Sequence, residues 1–170
     1  FGYEINPMNA MLSRLRAEII DIDAKINVAD VFNSRSFPAK RMFSKIFSNY
    51  PLGNNLKSIS EKLYEEMAEK IPGLTRGCSR DWAFNYLICK HLEEGGKAVA
   101  IMTSWAASNL IDTAAREYFT KAGLIESVIS LPDGIVSGTN VSCCMIVFSY
   151  NNKAIKMVDA SRVLDKKPRE

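Results

Sequence analysis

Lys97 to Met102 (KAVAIM) is a short, uninterrupted apolar run that follows the glycine pair Gly95-Gly96. A strand without a polar face has no side to give to water, so it must be buried on both faces, as happens where helices pack against a sheet. The flanking segments fit that demand. Upstream, Trp82, Phe84, Leu87, Ile88 and Leu92 recur at helical spacing and predict a helix ended by the glycine pair. Downstream, Leu110, Ile111, Ala114, Ala115, Tyr118 and Phe119 predict a helix that faces inward along those positions and ends at Gly123.

The same alternation runs through the rest of the chain. Phe1 to Ile5 reads as a short strand ending near Glu4, and Asn6-Pro7 then supplies a helix cap and a first-turn proline. Met8, Met11, Leu12, Leu15 and Ile19 fall on one face, so this helix is expected to pack on a sheet. Ile26, Val28 and Val31 alternate in a second strand whose end carries Asp30. Residues Asn33 to Arg41 read as a loop leading into a strand at Met42 to Phe47, and Leu56, Ile59, Leu63, Met67 and Ile71 predict a helix stopped by Pro72-Gly73. Strand Ile125 to Leu131, a Pro-Asp-Gly turn, loop Ser137 to Asn140 and strand Ser142 to Tyr150 complete the pattern. The connection between those two strands is too short for a helical crossover, which makes them antiparallel neighbours. Ala154 to Val158 reads as an edge strand. Strands alternating with helices and closed by a hairpin mean a doubly wound α/β sheet, expected over residues 1–161 with a charged tail at 162–170.

The 170 residues, 47% apolar and 24% charged, suit one domain with a real core, and a net charge of +3 is too small to indicate a nucleic-acid partner by itself. Cys78, Cys89, Cys143 and Cys144 lack a paired CxxC spacing and have only His91 for company, so buried thiols are expected rather than a zinc site. His91, one turn from a helix end, is read as structural. No stretch has the length of an apolar membrane span and no signal-peptide pattern opens the chain, which points to the cytoplasm. The chain begins with Phe1, inside what reads as a strand, and a fragment is expected.

Function is expected at FSKIFSNYPLGNN, Phe43 to Asn55, where an apolar run stops at a proline-containing turn. In open α/β sheets ligands bind beyond the carboxyl ends of strands, and Asn49 stands there, held by Pro51. Its amide offers an acceptor and two donors in one plane, which matches a nucleobase edge. A tripeptide of this kind is equally a plain turn. Glu4 and Asp30, at two other strand ends, suit ribose hydroxyls or are solvated carboxylates. Arg76 and Arg80, in the loop Leu74 to Arg80, suit phosphates or are solvated surface cations.

Taken together, the strand with a terminal acid, the strand with a terminal Asp, FSNYPLG, DWAFNYLICKHLEEGGKAVAIM and LIESVISLPDGIVSGTNVSCCMIVFSY resemble the methylation subunit of type I restriction-modification systems. The resemblance covers Gly2 to about Ser161. It implies a Rossmann-like, mostly parallel methyltransferase sheet that uses S-adenosylmethionine to methylate the exocyclic amine of adenine in double-stranded DNA. The implied partners are specificity and restriction subunits. Asn49, Tyr50, Pro51 and Leu52 match the catalytic Asn-Pro-Pro-Phe/Tyr motif. By the resemblance Asn49 accepts one amine hydrogen and the residue-50 carbonyl the other, Glu4 binds the ribose hydroxyls of S-adenosylmethionine, and Asp30 lies near its adenine. Tyr50 keeps the carbonyl that a proline would supply. Leu52 replaces the aromatic that stacks on the extruded base, and Tyr50 is a candidate to lend its ring instead.

The family's glycine-rich motif, on the strand before Glu4, is not in the chain, so this piece alone is expected to be inactive. In the family's fold that first strand lies between the strands ending at Glu4 and at Asn49, which here must pair directly or leave a gap to be filled. The alternative to a catalytic role is a degenerate DNA-binding or assembly module of the same family, suggested by Leu52. A methyltransferase acting on RNA or protein glutamine ranks below both.

Overall fold

In the computed structural model, residues 1–33, 42–135 and 141–163 are described. Most of the loop read at Asn33 to Arg41, the segment Ser137 to Asn140 and the charged run from Asp165 lie outside the described residues. The chain divides into two compact units, Phe1–Arg41 and Met42–Glu170.

The first unit holds strand β1 (Gly2–Glu4), helix α1 (Pro7–Ile19) and strand β2 (Ile26–Val28). Asn6 caps α1 as its sequence predicts, its side-chain oxygen accepting from the Met8 and Asn9 amides. The strands pair in parallel, with Glu4 opposite Val28. Arg14 reaches from α1 to donate to the Ile26 carbonyl. The expected packing of the α1 apolar face does not hold within this unit. Only Ala10 is buried, and Met8, Met11, Leu12, Leu15 and Ile19 are exposed. Two three-residue strands extend only about 10 Å each, too little sheet to cover a stripe four turns long.

The second unit holds a five-stranded sheet in the order β3-β4-β6-β5-β7, formed by β3 (Phe43–Asn49), β4 (Leu92–Thr103), β5 (Ile125–Ser130), β6 (Cys143–Phe148) and β7 (Lys156–Asp159). Four strands run one way, and β6 runs against its neighbours β4 and β5, the hairpin arrangement expected from the short connection. β3 is an edge strand and β1 belongs to the other sheet, so the direct pairing considered for these two strands is not formed. Helices α2 (Glu61–Lys70), α3 (Asp81–His91), α4 (Ser104–Ser108) and α5 (Thr113–Lys121) connect the strands. Trp82, Phe119 and Phe148 form the aromatic centre of the core, with ring centroids 5.1 and 6.0 Å apart along the series. All four cysteines are buried and unpaired, and burial raises their thiol pKa values, that of Cys89 to about 12.

Three boundaries differ from the sequence reading. The Gly95-Gly96 pair does not end a helix, because α3 stops at His91 and β4 has already begun. Between the pairs Phe43–Leu92 and Lys45–Lys97 the β4 chain carries three more residues than β3, a bulge that needs glycine twice. Gly95 has φ +76°, and a Cβ on Gly96 would stand 2.8 Å from the Glu93 carbonyl. The helix expected from Leu110 begins only at Thr113, as α5, with the short α4 ending before it at Ser108, and Leu110 and Ile111 are exposed. Here the buried Asn109 and Asp112 take the backbone's place as partners: Asn109 Nδ2 donates to Asp112 Oδ2 and the Asp112 amide donates to Asn109 Oδ1. The segment from Leu56 opens as a 3-10 turn, Leu56–Ser58, before α2. Among the described residues no helix is long and apolar enough to cross a membrane.

Candidate functional site at the carboxyl end of β3

β3 and β4 are parallel neighbours with Asn49 opposite Ile101, so the ends at Asn49 and Thr103 lie on one edge of the sheet. Asn49 is exposed there, at the last position of the strand, and Pro51 is exposed after it, while Leu52 is half-buried. Tyr50 does the opposite: its side chain is buried, stacked on Phe84 at 4.4 Å between centroids and 4° between planes. Its hydroxyl donates to Asn85 Oδ1 at 3.1 Å. The ring is therefore not available to a base, and the expectation that Tyr50 lends it in place of an aromatic at position 52 is corrected.

The far side of the turn is fixed as well. Gly53 and Asn54 both adopt left-handed backbone (φ +80° and +68°), which reverses the chain. The Arg80 amide then donates to the Asn54 carbonyl, the Leu56 amide donates to the Cys78 carbonyl, and Leu56 is fully buried. Residues 51–55 thus span two anchors, Tyr50 and Leu56, with Asn49 facing solvent beside the first.

The first turns of α3 reach both strand ends. Asp81 Oδ2 accepts from the Thr103 amide at 3.0 Å and its hydroxyl at 2.9 Å, fastening the end of β4. Phe84 and Asn85, three and four residues on and therefore on the same helical face, fasten the end of β3 through Tyr50. Burial raises the Asp81 carboxyl pKa against the lowering pull of Thr103, and its Oδ1 has no hydrogen-bond partner among the described residues. Burial likewise raises the Tyr50 phenol, reinforced by the Asp81 charge. Sequence reading missed this tie. Its signal was Asp81 and Asn85, polar residues one turn apart in the apolar first two turns of the helix, where each needs an internal partner.

Neither loop arginine is a free surface cation. Arg76 pairs with Glu61 and lies over the Tyr64 ring, 3.8 Å from its centroid. Arg80 donates to Ser58 Oγ at 3.4 Å and lies 5.7 Å from the Phe84 centroid, beside the Tyr50 stack.

In the first unit, Glu4 at the end of β1 and Asp30 just past the end of the parallel β2 come to the same sheet edge. Both are half-buried. Glu4 Oε1 accepts from the Asn6 amide at 2.7 Å, and Asp30 Oδ1 accepts from the Phe32 amide at 2.9 Å. Glu4 is thereby oriented by one oxygen and retains acceptor capacity at the other, as the hydroxyl donors of a ribose diol demand. No group of three or more metal-ligating side chains occurs among the described residues.

Solved structures that share this fold include methyltransferases. The methyltransferase subunit of the type I restriction-modification system of Streptococcus thermophilus superposes with a TM-score of 0.86 at 20% identity, over 99% of this chain and 38% of that one. A putative class I S-adenosylmethionine-dependent methyltransferase from Listeria monocytogenes gives 0.75 at 11%, over 96% and 50%. A modification subunit of a putative type I restriction enzyme from Vibrio vulnificus gives 0.65 at 15%, over 92% and 33%. The chain therefore spans half or less of the length of each, and at such identities the likeness establishes the fold, a class I methyltransferase sheet. Among curated protein sequences nothing matches. The sequence itself carries the decisive match: all of residues 1–170 fit the N-6 DNA methylase pattern, and the chain belongs to that family.

Proposed function

We propose that this chain presents the target base in an adenine-specific DNA methyltransferase of a type I restriction-modification system. The observation that carries the reading is Asn49, exposed at the carboxyl end of β3 beside a residue whose side chain is locked in the core. An amine conjugated to an aromatic ring is a poor nucleophile because its lone pair is delocalised. When Asn49 Oδ1 and the residue-50 carbonyl each accept one amine hydrogen, the nitrogen is held pyramidal and its growing positive charge is stabilised. Bound S-adenosylmethionine supplies an electrophilic methyl group. Asn49 Oδ1 and the residue-50 carbonyl would hold the amine while it takes up that methyl group, and one amine proton would leave to solvent. Glu4 and Asp30 fit the ribose and adenine ends of that cofactor as acceptors, Glu4 through its unengaged oxygen.

Because the chain spans 38% of the Streptococcus subunit, transfer is assigned to the full-length protein, which assembles with a specificity subunit to find its DNA and with a restriction subunit. The test is methylation of host DNA by that assembly. Replacing Asn49 by Ala is expected to lower kcat by about 100–1000-fold, the scale seen when one such polar stabiliser is removed, with S-adenosylmethionine binding retained. An unchanged rate, or no S-adenosylmethionine binding by the full-length protein, refutes the reading.

Leu52 favours a second reading, a DNA-binding or assembly module without catalysis, since the inward Tyr50 leaves no ring from this turn to stack on a base. Leu52→Phe separates the two. A gain in methylation supports transfer through a weakened base contact, and unchanged inactivity with DNA binding intact supports the module.

A further inference from the structure

We propose that Tyr50 is a positioning residue for methyl transfer, its buried ring fixing the direction of the residue-50 carbonyl beside Asn49. The inference rests on the catalytic reading above and deepens it.

A proline at position 50 would fix the backbone directly, because its ring closes on the backbone nitrogen and holds φ near –65°. Tyrosine has no such closure. Pro51 confines ψ of Tyr50 to extended values, but φ of Tyr50 stays free to swing the peptide, and left to itself its carbonyl would not keep one direction.

The structure provides a substitute made of two contacts and burial. Phe84 lies flat on the Tyr50 ring, Asn85 accepts from its hydroxyl, and the side chain is 5% exposed, so the ring is held by face, tip and surroundings. Asn85 is itself held: it is fully buried and its Nδ2 lies 3.6 Å from Met102 Sδ, on the strand next to β3. A side chain pinned at both ends restricts the backbone that carries it. Asn49, one residue earlier, is still within the strand ladder opposite Ile101. The two acceptors required by the amine are thus fixed by different means, the first by the ladder and the second by the Tyr50 ring.

The idea separates from ordinary core packing through one pair of variants. Tyr50→Ala and Tyr50→Pro both empty the space of the ring, but only proline restores a backbone constraint. In the full-length protein with its specificity partner, Tyr50→Ala is expected to lower kcat by roughly 100-fold, the scale of a small misplacement of a reacting group, with KM for DNA changed by less than about threefold. Tyr50→Pro should recover at least about tenfold of that loss. Tyr50→Phe keeps the stack and should lose about tenfold or less, and combining it with Asn85→Ala should add little, because both remove the same hydrogen bond.

Hydrogen exchange of the peptide covering residues 49–56 supplies a readout independent of activity: faster in Tyr50→Ala, slowed again in Tyr50→Pro. If Tyr50→Pro is no better than Tyr50→Ala in both rate and exchange, the proposal is overturned. A loss confined to KM overturns it too, since that would make Tyr50 a base contact. An Asn49→Ala protein with unchanged rate refutes the catalytic reading instead, and the exchange pattern then still decides whether Tyr50 orders the turn.

Discussion

Helices α1 and α3 have similar lengths, 13 and 11 residues, and both were legible from the spacing of their apolar side chains, yet they differ in fate. In α3 nine residues are buried, from Asp81 to His91, while in α1 only Ala10 is. Periodicity therefore reports a helix and its apolar face, but burial depends on how much sheet stands opposite. α3 has five strands in its unit and α1 has two short ones.

The contrast is tested most severely at Trp82, which is 1% exposed, packs on Phe119 and donates its indole N–H to the Ala106 carbonyl. Trp82→Ala is expected to cost about 3–5 kcal/mol in chemical denaturation, enough to abolish a marginal fold. A cost below about 1 kcal/mol would mean that the second unit's core is not organised around this ring.

Asp81 provides a pH signature at the start of the same helix. Its folded pKa is raised by burial, so between the usual carboxylate range, about 3.9, and that raised value the folded protein holds a proton that the unfolded chain has released. Stability from this group is present below that window and lost as pH rises through it. Asp81→Asn, which keeps an acceptor for Thr103 and places an N–H where Oδ1 has no partner, should remove that component of the slope in denaturation measured across pH 4–8. An unchanged slope would assign it to other groups.

Gly123, where α5 ends, has φ +64°, and a Cβ there would stand 3.0 Å from the Asn152 carbonyl. Gly123→Ala should cost more than about 1 kcal/mol, read as a fall in the denaturation midpoint. The smallest effect belongs to α1: Leu15→Ser, at a position 46% exposed, should stay within about 0.5 kcal/mol in this chain. A larger cost at Leu15 would show that the α1 face is covered in solution and would erase the contrast.

Much of the arrangement was readable in advance for physical reasons. Asn6-Pro7 marks a helix start because both residues act locally, and the apolar run stopping at Phe47 marks the strand end to within two residues, the strand running on through Ser48 to Asn49. Glu4 and Asp30 come to one edge because their strands are parallel, which local pattern supports only indirectly. What escaped was set by distant contacts. The direction of the Tyr50 ring is decided by Phe84 and Asn85, 34 and 35 positions along the chain, and nothing in Asn-Tyr-Pro distinguishes a ring turned outward from one turned in. The break at Leu110 depends in the same way on Asp112, which accepts from both the amide and hydroxyl of Ser79. Gly95-Gly96 misled because a glycine pair serves a helix end and a bulge equally well.

That bulge has a practical consequence. Glu93, Glu94 and Gly95 project from the sheet at the amino end of β4 and are exposed, and pairing resumes in step at Lys97. The seven residues from there to Thr103 separate it by about 20 Å from the edge that carries Asn49. A fluorophore or affinity tag placed at Glu94 would therefore ride on the strand without shifting its register, giving a reporter that stays clear of the turn at Asn49.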